Sequence, residues 1–281
     1  MKRRKSVLAG AWYPGNKEDL LNKLEKYFQV VDADNNSSIK ETSSKVIVPH
    51  AGYAYSGLCA AYGYRSLRKK DIKKAIILSP SHTCFLTKNA LPSSDFFETP
   101  LGNVSIDKKT LEKLTESFYF EENDEAHSME HAVEIQLPFI QYCFPDISIV
   151  PVVIGHIGEE GLKESAVKIS EIIDESTLLI ISSDFTHYGA NFSYVPFTEN
   201  IRENIYQLDG KAIDYIVSKD PKGFSDYVSQ SEATICGQHP IRILLELLPE
   251  KEKGELLNFY TSGDVGGDFS HSVSYASIAF H

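Results

Sequence analysis

Short apolar runs that end abruptly in polar residues recur along this chain. "KVIVPHAGY" carries the run at 46–48 into His50, and "KKAIILSPSH" carries the run at 75–78 into His82. "ISIVPVVIGH" ends at His156, and "STLLIISSDFTH" ends at Asp184 and His187. Uniformly apolar, β-branched-rich segments of this kind predict strands buried on both faces, as in a parallel sheet. Between them the apolar spacing changes to that of a helix. Leu20, Leu21, Leu24 and Phe28 share one face behind Asn16, a predicted N-cap with Glu18 and Asp19 in the first turn. "SGLCAAYGYRSL" predicts a second helix, whose small residues allow close approach to a sheet.

The pattern continues downstream. "NVSIDKKTLEKLTES" predicts a short strand and a helix capped by Asp107, and "EHAVEIQLPFIQYCF" predicts a helix that Pro138 kinks or divides. "GLKESAVKISEIID" is the expected helix between the strands at 148–154 and 178–182. Helices are expected at 201–218 and 221–229 and in "ICGQHPIRILLELL", before an antiparallel pair formed by "ELLNFYTSGD" and "HSVSYASIAFH". The polar stretch "DADNNSSIKETSSK" reads as a mobile loop. With no Gly/Ser/Pro linker and no internal repeat, the reading is a single α/β domain over 1–281, a central mainly parallel, mixed sheet flanked by helices.

Composition narrows the function. In 281 residues, 42% are hydrophobic and 24% charged, an ordinary globular balance. A net charge of −11 argues against nucleic acid as a partner; the one basic run is "MKRRK". No apolar stretch reaches the ~18 residues of a membrane span, and "SVLAGAWYPG" is too interrupted for a signal-peptide core. A cytoplasmic protein is therefore expected. The four cysteines, Cys59, Cys84, Cys143 and Cys236, lack CxxC spacing and predict no disulfide framework.

Ligands of parallel α/β sheets bind at the carboxyl ends of the strands. His50, His82 and the Asp184/His187 pair all follow such ends, which points to one shared crevice; His156 reads instead as a loop residue. The hydroxyls of "SPSH" can bond the second ring nitrogen of His82, as metal-bound histidines require. Asp184 either orients His187 as a general base or caps a helix. In "TICGQHP" a tight turn places Cys236 and His239 at the opening of a helix, where a thiol tends to ionise. "EAHSMEHAVEIQLPF" holds His127, Glu130, His131 and Glu134 without an HExxH match. Solvated positions are expected for His127 and Glu130, and an inward one for Glu134.

Taken together, "AGAWYP", "PHAGYAYSG", "PSH", "EHAVEIQLPF", "SSDFTHYG" and "TICGQHP" resemble the Memo family, and "SVSYASIAFH" resembles its C-terminal end. The family is similar in fold to the class III non-haem iron extradiol dioxygenases. The resemblance implies that His50, His82 and Cys236 bind a metal, Fe(II) or Cu(I/II), with His187 as acid/base group and Asp184 beside it. Cys236 departs from the carboxylate of the dioxygenase triad, which places a softer, oxidisable ligand there. Two functions follow as expectations. One is a metal-dependent oxidoreductase acting on a small molecule. The other is a binding module that takes a peptide or protein in the crevice, as animal Memo proteins act as adaptors, with Trp12, Tyr13, Tyr53 and Tyr55 supplying aromatic contact. A third reading, hydrolysis by a Cys236 nucleophile with His187 or His239, ranks below both.

Overall fold

The computed structural model describes residues 1–34 and 39–281; residues 35–38, inside the loop expected to be mobile, lie outside the described residues. Its strands, in chain order, are β1 (Arg3–Arg4), β2 (Lys45–Val48), β3 (Lys74–Ser79), β4 (Asn89–Leu91), β5 (Phe96–Thr99) and β6 (Gly102–Ile106). They continue with β7 (Phe120–Glu122), β8 (Ser148–Val153), β9 (Thr177–Ser182), β10 (His187–Tyr188), β11 (Gly254–Thr261) and β12 (Ser272–Phe280). The helices are α1 (Lys17–Ala33), α2 (Tyr53–Ser66), α3 (Lys108–Leu114), α4 (Asp124–Ser128), α5 (His131–Glu134) and α6 (Leu137–Cys143). After them come α7 (Gly158–Ser170), α8 (Ile201–Val217), α9 (Pro221–Ser231), α10 (Gln238–Leu247) and α11 (Ser262–Gly266).

The sheet runs β1-β5-β6-β8-β3-β9-β2-β12-β10, with β11 paired to β12 and β4 joining β7 and β8. Its centre is parallel: β8 with β3, β3 with β9, and β9 with β2. The apolar runs fill these strands, and every residue of β9 is buried. Burial on both faces explains why their sequences lack alternation. The expected antiparallel pair closes the far side, Gly254 opposite Phe280 through Thr261 opposite Ser274. The α/β fold, with a mixed and mostly parallel sheet flanked by helices, is thus the one the pattern predicts.

Local chemistry sets several boundaries. Asn16 accepts the Asp19 amide at the start of α1, which buries Leu20, Leu24, Phe28 and Val31, and Asp107 accepts the Thr110 amide at the start of α3. Pro138 falls in the first turn of α6, so the predicted kinked helix is two helices, α5 and α6. A contiguous cluster of buried side chains runs from Leu8 to Phe280 through both helical layers.

Candidate metal centre

Parallel pairing of the three neighbouring strands β3, β9 and β2 brings their carboxyl ends to one edge, with Val48 beside Ser182 and Leu78 beside Ile181. His50 follows β2, His82 follows β3 and Asp184 follows β9, so the strand order makes them neighbours. A third imidazole arrives from another direction. His131 opens α5, and its ring centroid lies 4.2 Å from that of His82 and 5.3 Å from that of His50. One ligand nitrogen from each of His50, His82 and His131 lies within 4.8 Å of the others, so this cluster can hold a metal ion.

Two of the three imidazoles are oriented from behind by hydrogen bonds. His50 is buried and sets Nδ1 3.0 Å from Ser182 Oγ, which itself donates to the Ala132 carbonyl at 2.7 Å. His82 places Nδ1 2.9 Å from Glu130 Oε1, while its amide donates to Glu130 Oε2 at 2.7 Å. Glu130 also accepts the Ala132 amide, which caps α5. Burial alone would raise the Glu130 pKa; the hydrogen bond and charge of His82, with the Ala132 amide, hold it below its ordinary value. Burial, followed by the neighbouring imidazoles, drives the His50 pKa well below the ordinary value. Burial likewise takes His131 down to about 4. Both are neutral near pH 7, the protonation state that ligates metals.

Cys236 lies against this cluster, with Sγ 3.1 Å from His50 Nε2 and 3.2 Å from the Asp184 amide that donates to it. Gly237 makes the approach possible, since a Cβ there would collide with the Ser183 side chain, whose Oγ accepts the Gly237 amide. The turn before α10 does not favour the thiolate as expected: burial first, then the Asp184 carboxylate, push the Cys236 pKa well above the ordinary value. Asp184 accepts the His50 amide at 2.7 Å, and burial raises its pKa to about 7. It therefore fixes the His50 backbone and, among the described hydrogen bonds, neither caps a helix nor orients His187. That ring points Nδ1 at the Thr234 carbonyl, 3.0 Å away, and its amide donates to Thr234 Oγ1. Burial lowers the His187 pKa as well.

His50, His82, His131, Asp184 and His187 face a cavity of about 630 Å³, lined also by Trp12, Tyr55, Phe192 and Val273, while Cys236 lies against His50 and is not part of the wall. The aromatic residues expected near the pocket divide in two. Trp12, 39% exposed, sets its ring 4.8 Å from His131, and Tyr55 is half-exposed, whereas Tyr13 and Tyr53 are buried packing residues.

Other expectations change. His127 and Glu130 are each 1% exposed, not solvated: Arg4 binds both main-chain carbonyls, and the Glu130 carboxylate is taken up by His82 and the Ala132 amide. Glu134 does point inward, but to that segment: it pairs with Arg4 and accepts from Ser6, Val7, Leu8 and Tyr13. His156 and His239 pack on each other, with ring centroids 5.2 Å apart, and line no part of the main cavity. Cys84 exchanges hydrogen bonds with Ser81 and is absent from the cavity wall. His131 stood out in sequence only as part of a polar cluster; the signal beside it was Glu130 ahead of the apolar pair Ala132 and Val133.

A family model described as Memo-like protein matches residues 4–279. This chain belongs to the Memo family. Human Protein MEMO1 is 33% identical over 291 residues, covering 98% of this chain and 96% of that protein. A MEMO1 family protein of Thermoplasma volcanium is 34% identical over 279 residues, covering 98% and 97%. Protein memo-1 homolog of Caenorhabditis elegans is 32% identical, covering 98% of this chain and 81% of its own. A solved structure of an uncharacterised Escherichia coli K12 protein aligns at a TM-score of 0.45 and 10% identity, over 83% of this chain and 98% of that one.

Proposed function

We propose that this Memo protein binds iron or copper through His50, His82 and Cys236, with His131 beside them, and uses the metal in redox chemistry on a small molecule. The observation that carries the reading is the donor set: the back-bonded imidazoles of His50 and His82 with a cysteine sulfur 3.1 Å from His50 Nε2. Nitrogen ligands held by a hydroxyl and a carboxylate suit Fe or Cu, and the sulfur favours the softer Cu(I). A bound redox metal would supply electron transfer to a molecule in the cavity. The protein's own residues do the rest. Trp12, Tyr55 and Phe192 bind an apolar ligand portion at the wall. His187, its Nδ1–H donated to the Thr234 carbonyl, keeps Nε2 as the acceptor for a ligand proton. Asp184 holds the His50 main chain in place.

No helix among the described residues is long and apolar enough to cross a membrane, and all four cysteines are free thiols. We place the protein in a reducing compartment such as the cytoplasm. The test is metal analysis of protein purified anaerobically, then oxygen uptake with candidate reductants. About one Fe or Cu per chain, lost in His50→Ala and, where the metal is Cu, in Cys236→Ser, is the expected result; sub-stoichiometric metal under all loading conditions overturns the reading. A second reading, a peptide-binding module, draws on the exposed Trp12 and Tyr55 rims. It predicts peptide capture by the metal-free protein, lost in Trp12→Ala.

A further inference from the structure

A second cavity, of about 250 Å³, lies between β1, the segment after β4 and α4, away from the histidine cluster. Two of the side chains lining it carry buried polar atoms without a hydrogen-bond partner. His127 is 1% exposed; its Nε2 lies 2.9 Å from the Ala90 carbonyl and donates to it, so Nδ1 is left as a bare acceptor. Burial, then the charge of Arg4, hold this imidazole neutral, with a pKa lowered to about 4 despite the Ala90 bond. Ser94 is 3% exposed, and its Oγ also lacks a partner. Buried polar atoms left this way keep their full desolvation penalty unless something occupies the space.

Not every cation around the cavity has an ion-pair partner among the described residues. Arg4 is consumed by Glu134 and by the carbonyls of His127 and Glu130. Asp124 is paired with Lys2 and with Ser93. Arg3 and Lys5 remain, both exposed, with no ion pair among the described residues. Asp95, which accepts the Lys2 amide, and Glu122 add negative charge beside Lys2, so what marks the site is two cations without an ion pair beside two unsatisfied polar atoms. Inorganic phosphate suits the cations and its P–OH can donate to His127 Nδ1, but one small ion fills only part of the 250 Å³. A larger ligand with hydroxyl groups as well as an anionic group suits the cations, His127 and the volume.

We propose that this cavity binds a small hydroxylated anion of the sugar-phosphate class. Its hydroxyls donate to His127 Nδ1 and pair with Ser94 Oγ, and its phosphate lies between Arg3 and Lys5. The volume, below the ~300–1,000 Å³ usual for drug-sized ligands, matches one sugar phosphate rather than a nucleotide.

The test is titration of the full-length, histidine-¹⁵N-labelled protein with ribose 5-phosphate, ribose and inorganic phosphate, read at the His127 ring nitrogens. Ribose 5-phosphate should move Nδ1 saturably and bind at least ~10-fold tighter than either fragment. The doubly substituted Arg3→Ala, Lys5→Ala protein, altered only at exposed positions, should lose at least ~10-fold in affinity and most of the salt dependence. Ser94→Ala should weaken binding several-fold while leaving the His127 Nε2 signal in place. An Nδ1 signal that none of the three probes moves at millimolar concentration overturns the proposal and leaves the cavity as a water site. Equal affinity for inorganic phosphate and ribose 5-phosphate, or affinity unchanged by the double substitution, overturns it equally.

Discussion

One carboxylate, that of Glu130, meets the His82 ring, the His82 amide and the first turn of α5 at once. It thereby fixes the tautomer that leaves His82 Nε2 free for a metal and couples His82 to the helix that carries His131. Glu130→Gln keeps the shape but replaces one acceptor oxygen with a donor. Metal affinity should fall by ~10–100-fold with thermal stability little changed, measured by chelator competition and calorimetry. Cys236 is a different case. Its thiol is held neutral by burial and by Asp184, so a metal must displace the proton to gain the sulfur. Cys236→Ser should cost at least ~100-fold for Cu(I) and much less for Fe(II), while Cys59→Ser and Cys84→Ser leave both affinities near the parent's. Competitive titration with a Cu(I) chelator decides it, and equal losses for Cys236→Ser and Cys84→Ser would remove Cys236 from the ligand set.

At the scale of elements, what was legible in the sequence follows from what is local. The apolar runs name the central strands, and parallel strands put their polar ends on one edge, so His50, His82 and Asp184 could be grouped before any contact was visible. Contacts between distant segments were not legible. The burial of Glu130 and His127 depends on β1 pairing with β5, Arg3 opposite Phe96, and on Arg4 reaching across to α5. No spacing within "EAHSMEH" encodes that. Asp184 and His187, three residues apart, read as a pair until Thr234, far along the chain, took the His187 ring. Glu134 illustrates the energetic side. It is fully buried against Arg4 and accepts the amides of Val7 and Leu8, so it ties down the segment that carries Trp12. Glu134→Ala would leave the Arg4 charge buried and both amides unpaired. A loss of roughly 3–5 kcal/mol in urea unfolding is expected, with Trp12 fluorescence shifting toward that of an exposed indole. A loss below ~1 kcal/mol would show that the segment is held by packing alone.

For the whole molecule, the polar residues gathered beneath the sheet edge carry a stability cost that depends on pH. Asp209 of α8 is fully buried and accepts the Thr186 amide at 3.2 Å and Thr186 Oγ1 at 2.6 Å, which fastens the loop between Asp184 and His187. Burial raises its pKa from 3.8 to about 6, against the opposing Thr186 hydrogen bonds and the nearby Ser274 hydroxyl. Because the folded value lies above the unfolded one, the folded chain binds this proton more tightly. The resulting stability is fully present below the unfolded pKa of about 4 and is lost as pH rises through about 6. The whole effect is on the order of 3 kcal/mol, from roughly two pKa units at ~1.4 kcal/mol each. Asp184, raised to about 7, adds a loss in the same direction, so the parent slope alone does not isolate Asp209. The difference between parent and Asp209→Asn does. Asparagine keeps an oxygen for Thr186 and cannot ionise, so the variant should lose less stability than the parent between pH 5 and 8. Urea unfolding at four or five pH values across that range measures it. Parallel stability curves for the two proteins would mean that Asp209 stays ionised in the folded chain, and that its Thr186 hydrogen bonds outweigh its burial.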